Sequence, residues 1–117
     1  MTASMAAGNG NMGADYPHDE LWDALRTVPD PEMAISIVDM GLVVAAHRTD
    51  GVAHITLTYT AMGCPAMEMI EDDIRAALLT LPGVNVVEIE TVWEPVWTKS
   101  RLSADGRDAL MLQGVAL

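Results

Sequence analysis

Apolar residues recur along this chain in two rhythms, one of threes and fours and one of strict alternation. From Pro17 the rhythm is helical: Leu21, Leu25 and Val28 fall at i, i+4 and i+7, and Trp22 widens the stripe. Asp19, Glu20 and Asp23 stand near the start, where the helix dipole favours carboxylates. Pro29 and Pro31 end the helix, because a proline pushes its predecessor out of the helical region. Asp30-Pro31-Glu32 is then an extended or turn segment with two carboxylates. Residues 35–39 lead through Met40-Gly41 into the apolar run 42–46, a first strand.

Asp50-Gly51 is a hairpin signal, since both central residues of a type I′ turn need positive φ. Residues 52–59 alternate, with Ala53, Ile55, Leu57 and Tyr59 on one side and Val52, His54, Thr56 and Thr58 on the other. Met67, Ile70, Ile74, Leu78 and Leu81 restore the helical rhythm, which Pro82-Gly83 closes. Residues 84–93 read as a third strand, with Val87, Ile89 and Trp93 on one face and Glu88 and Glu90 on the other. Ser103 can cap a short helix running to about Leu112 and ended by Gly114. The order α-β-β-α-β-α predicts an α+β fold, a small two-layer sandwich with helices on one face of a mixed or antiparallel three-stranded sheet.

Residues 1–14 are small, rich in Gly and Asn and without period, and are expected to form a disordered tail ahead of a single domain at 15–117. With 50% hydrophobic residues but no Phe, the core must be filled mostly by Val, Ile, Leu and the nine Met. A net charge of -11 repels phosphate backbones and anionic lipid, which argues against nucleic acid as a partner. No apolar run is long enough to span a membrane, and the start lacks the features of a secretory signal. With one Cys and so no internal disulfide, a cytoplasmic protein is expected.

That cysteine, Cys64, lies in Thr60-Ala61-Met62-Gly63-Cys64-Pro65, where the alternating run stops and the long helical run begins. Pro65 suits a first helical turn. A thiol there lies near unpaired N–H groups and the positive end of the dipole, which favour the thiolate. Thiolate attacks electrophiles or binds soft metals, and the residues alone leave both open, beside an inert core cysteine. Some chemistries are excluded by counting. A cysteine phosphatase needs Arg six residues on, where Ile70 stands, and dithiol redox needs a second Cys. A closed zinc site wants four ligands, against one Cys and His18, His47 and His54, the last two on different hairpin strands. A Cys-His acyl-transfer enzyme would have to use His54 as base. Asp30, Glu32 and Asp39 are possible acids or ligands, although turn carboxylates are commonly caps. Trp93 and Trp97 are a candidate surface platform.

The segments Asp30-Pro31-Glu32, Ser36-Ile37-Val38-Asp39-Met40-Gly41-Leu42-Val43, Thr60 to Pro65 and Trp93-Glu94-Pro95-Val96-Trp97-Thr98, in that order, resemble the metal-sulfur cluster assembly factor family. This family includes the phenylacetate-degradation D protein, PaaD, and the Suf-associated T protein. Ser103, Gly106, Arg107 and Gly114 fit its closing pattern. The resemblance implies a non-enzymatic accessory factor, often a homodimer, for iron-sulfur cluster assembly or metalloprotein maturation. Its partners would be a client metalloenzyme or a cluster carrier protein. Cys64 would be its functional residue, Asp39 and Thr60 would lie beside it, and Gly63, Pro65 and Glu32 would complete the site. The cofactor implied is an iron-sulfur cluster or iron, held transiently. A non-metal adaptor docking on a client oxygenase or carrier is the alternative. The metal chemistry of the cysteine-bearing C-terminal extension of phenylacetate-type members is not expected here.

Overall fold

Asp19 opens the first helix by accepting a hydrogen bond from the Trp22 backbone N–H at 3.0 Å, and α1 spans Glu20–Leu25. This computed structural model describes residues 13–60 and 66–114. Leu21, Trp22 and Leu25 are buried on one side of α1, and Val28 is buried just beyond its end. Two short strands follow, β1 (Pro29–Asp30) and β2 (Ile35–Ser36), paired antiparallel around a loop in which Ala34 takes a positive φ of 59°. Strands this short have no periodicity to read, and only the extended or turn segment at Asp30-Pro31-Glu32 hints at them.

The main sheet has the order β3-β4-β5, built from β3 (Val43–Thr49), β4 (Val52–Leu57) and β5 (Val86–Thr91). β3 and β4 are antiparallel, with Thr49 opposite Val52 across the two-residue turn, where Asp50 and Gly51 have φ of 51° and 81°. β5 lies parallel to β4, and α2 (Ala66–Leu78) makes the crossover that a parallel pair needs. The sheet is therefore mixed. A 3-10 turn at Lys99–Arg101 leads to α3 (Ala104–Leu112), capped by the Ser103 hydroxyl accepting from the Gly106 N–H at 2.9 Å.

The core lies between the helices and one face of the sheet. Ala53, Ile55 and Leu57 of β4 face Ile70, Ile74 and Leu78 of α2, all buried. Burying side chains of this size stabilises the fold by about 2 kcal/mol each. Three expectations need correction. Among the described residues methionine contributes little to this core: Met40 is buried, Met33 and Met67 only flank it, and Met69 and Met111 are exposed. Branched aliphatic residues, which hold fixed rotamers, fill the space instead. Thr58, expected on the open side with Val52, His54 and Thr56, is fully buried, because residues 93–98 fold over it and Pro95 O accepts its hydroxyl at 3.2 Å. Gly13 and Ala14, assigned above to the tail, are pinned to the domain: Ala14 bridges Ser103 in parallel and donates its N–H to Leu102 O at 2.8 Å. Residues 1–12 lie outside the described residues.

Candidate functional site

Two corners of the molecule collect the residues singled out in the sequence. The first is built on Asp39-Met40-Gly41. Three consecutive carbonyls of this turn accept from the C-terminal segment: Asp39 O from Ser103 N at 2.9 Å, Met40 O from Trp97 Nε1 at 2.6 Å and Gly41 O from Arg101 Nε at 2.7 Å. The Asp39 carboxylate accepts the Ser103 hydroxyl at 2.7 Å, so it also fixes the cap of α3. Gly41 has a φ of 80°, and a Cβ there would lie 2.3 Å from Arg101 O, so only glycine fits. At Gly106 a Cβ would lie 2.5 Å from Asp39 O, which lets α3 press against the turn.

Asp39 also lines a depression of about 140 Å³ with Tyr16, His18, Arg26 and Ser103. The Tyr16 hydroxyl donates to Arg101 O at 2.5 Å and its ring stacks on Trp22. Burial pushes the Tyr16 phenol above its ordinary range, opposed by the Arg101 guanidinium and reinforced by the Asp39 carboxylate.

The second corner lies where β4 ends and α2 begins. Asp30, Glu32, Leu42, Tyr59, Thr60, Ala66, Met67 and Ile70 line a depression of about 10 Å³, room for about one water. Asp30 is buried, and its Oδ1 accepts the Glu32 N–H at 2.9 Å while its carbonyl accepts from Met33 and Ala34. That bonding makes Asp30 a turn-forming carboxylate. The Tyr59 hydroxyl donates to Glu71 at 3.2 Å, and its ring meets Trp93 at 6.2 Å between centroids. Glu32 and Thr60 are exposed at this rim.

Glu32 and Thr60 are thus brought together, whereas Asp39 lines the other corner. Trp93 and Trp97 do not stack on each other: Trp93 is 42% exposed beside Tyr59, and Trp97 is half-buried with its indole N–H committed to Met40. Cys64, Gly63 and Pro65 lie outside the described residues. Among the described residues, no three His, Cys, Asp or Glu side chains converge as a metal site. His47 and His54, expected on separate strands, are directly opposite each other with rings stacked at 4.9 Å. His54 Nδ1 lies 3.1 Å from a Glu88 carboxylate oxygen.

Sequence reasoning missed Arg101 and Tyr16, whose partners are 60 and 85 residues away. No local pattern carries such long-range contacts.

Residues 18–91 match the profile of the family described as iron-sulfur cluster assembly protein. The chain belongs to that family. It is 41% identical over 96 residues to the Fe-S protein maturation auxiliary factor YitW of Bacillus subtilis, covering 81% of this chain and 94% of that one. To the Fe-S protein maturation auxiliary factor SufT of Staphylococcus aureus it is 39% identical, covering 71% of this chain and 96% of that one. A solved domain of unknown function from Bacillus anthracis superposes with a TM-score of 0.71 at 36% identity, covering 83% of this chain and 91% of that one. The α+β architecture of helices on a mixed sheet is therefore that of the iron-sulfur cluster assembly protein family. No helix among the described residues is long and apolar enough to cross a membrane.

Proposed function

We propose that this protein is a non-enzymatic accessory factor of iron-sulfur protein maturation that takes an iron-sulfur unit or iron as transient cargo through Cys64. Glu32 and Thr60 flank the cargo, Gly63 and Pro65 shape the turn that presents the thiol, and Asp39 supports the site while holding the C-terminal segment through Ser103.

One observation carries the reading. Thr60 and Ala66, the two residues that bracket the Cys64 segment, line the same depression as Asp30, Glu32 and Tyr59. Covalent continuity keeps the Cys64 Cα within about 7 Å of that of Ala66. The relatives named as Fe-S maturation auxiliary factors supply the class of cargo.

One thiolate does not complete a cluster, which takes about four ligands. The remaining ligands would come from Cys64 of a second copy in a homodimer, from a small thiol, or from the cysteines of a client metalloenzyme or carrier. The alternative of an adaptor that docks without metal has its own support in Trp93 and Val96, exposed at 42% and 68% in the segment beside Tyr59. Anaerobic reconstitution with iron and sulfide separates the two. Cargo binding predicts visible cluster absorbance that disappears in Cys64→Ser; an equally coloured variant would rule out Cys64 as the ligand, and a wild type that takes up no colour would leave the adaptor reading.

A further inference from the structure

β5 is an edge strand, and its backbone parity leaves one row of hydrogen-bonding groups open. At its two ends, Val86 and Val92 donate to Gly51 O and Leu57 O, so the even-numbered residues bond toward β4. Successive N–H and C=O groups of a strand point to opposite edges, so those of Val87, Ile89 and Thr91 point away from the sheet. Among the described residues these outward groups make no hydrogen bond.

The two faces of the edge differ chemically. On the helix-covered face Val87 is buried and Ile89 half-buried, while on the open face Glu88 and Glu90 are exposed beside the partner positions His54 and Thr56. A strand added to this edge would set apolar residues next to Val87 and Ile89. Every second residue would then stand beside a glutamate.

A second copy is a poor occupant. Antiparallel pairing of two β5 strands about Ile89 would set Glu88 of one copy opposite Glu90 of the other, and like charges directly opposed are destabilising. Each copy also carries a net charge of -11. We propose that the β5 edge is a docking site for an extended segment of another protein in which basic and apolar residues alternate, received as an added strand with its basic side chains on Glu88 and Glu90. The glutamates that disfavour a second copy at this edge select that partner. The site makes no use of Cys64 and stands whether or not the thiol carries cargo.

The test uses the full chain, isotopically labelled, and a short synthetic peptide alternating lysine with valine. Binding should shift the amide resonances of Val87, Ile89 and Thr91 and slow their hydrogen exchange, with little change in exchange at the already bonded Val86, Glu88 and Glu90. Replacing both glutamates, Glu88→Lys with Glu90→Lys, should weaken this peptide about tenfold and favour its glutamate counterpart, the reversal of two charge pairs. Thr91→Pro removes one outward donor at a position where an edge strand tolerates proline, and should also weaken binding. Absence of binding, equal binding of lysine and glutamate peptides, or changes centred away from β5 would overturn the proposal. So would protection of these amides at high concentration of the chain alone, which would assign the edge to a second copy.

Discussion

The Asp39 corner and the Thr60 corner contain similar residues and use them differently. At Asp39-Met40-Gly41 three consecutive carbonyls and Oδ1 of the carboxylate accept hydrogen bonds from Ser103, Trp97 and Arg101. Around Thr60, Asp30 is spent on its own turn, while Glu32 and Thr60 stay exposed at the rim of a small depression. An Asp in a family-like motif can therefore be a fastening, and the exposed polar groups beside the Cys64 segment belong to the other, smaller depression.

The largest effect expected at the fastened corner is that of Gly41→Ala. A Cβ 2.3 Å from Arg101 O, at a φ of 80°, must move α3 or the turn. Urea unfolding should show a loss of about 3 kcal/mol. A loss within a few tenths of a kcal/mol would mean that the C-terminal segment is not held there.

Ser103→Ala removes both the α3 cap and the bond to Asp39, for about 1–2 kcal/mol by the same measurement. Trp97→Phe keeps most of the ring but leaves Met40 O without its donor, and should cost about 1 kcal/mol.

The smallest effect is alkaline. Because burial raises the folded-state phenol of Tyr16, its contribution is complete below the unfolded value near 10.0 and is lost as pH rises from there through the folded value. Stability against pH should fall over that window in the wild type, and Tyr16→Phe should flatten that part of the fall.

Much of the fold was legible because its signals are local. Asp50-Gly51 names its turn type, Ser103 stands one residue before its helix, and Ile70, Ile74 and Leu78 mark the buried face of α2. The fastening of residues 97–103 to Asp39-Met40-Gly41 was not legible, because each bond joins residues about sixty apart and nothing in either segment names the other. The buried Thr58 escaped for the same reason: alternation describes a strand, and the loop that covers Thr58 comes from residue 95. Of the residues named for the site, Glu32 and Thr60 line one depression. Asp39, part of the same set of motifs, was told apart from them only by its partners in space.

The division between the two corners is tested most directly by measuring cluster absorbance after anaerobic reconstitution in two variants matched for fold by circular dichroism, Cys64→Ser and Asp39→Asn. Asparagine keeps the acceptor for the Ser103 hydroxyl, so Asp39→Asn should retain the wild-type absorbance per chain while Cys64→Ser loses it. A coloured Cys64→Ser beside a colourless, folded Asp39→Asn would contradict the account and move the chemistry to the Asp39 corner.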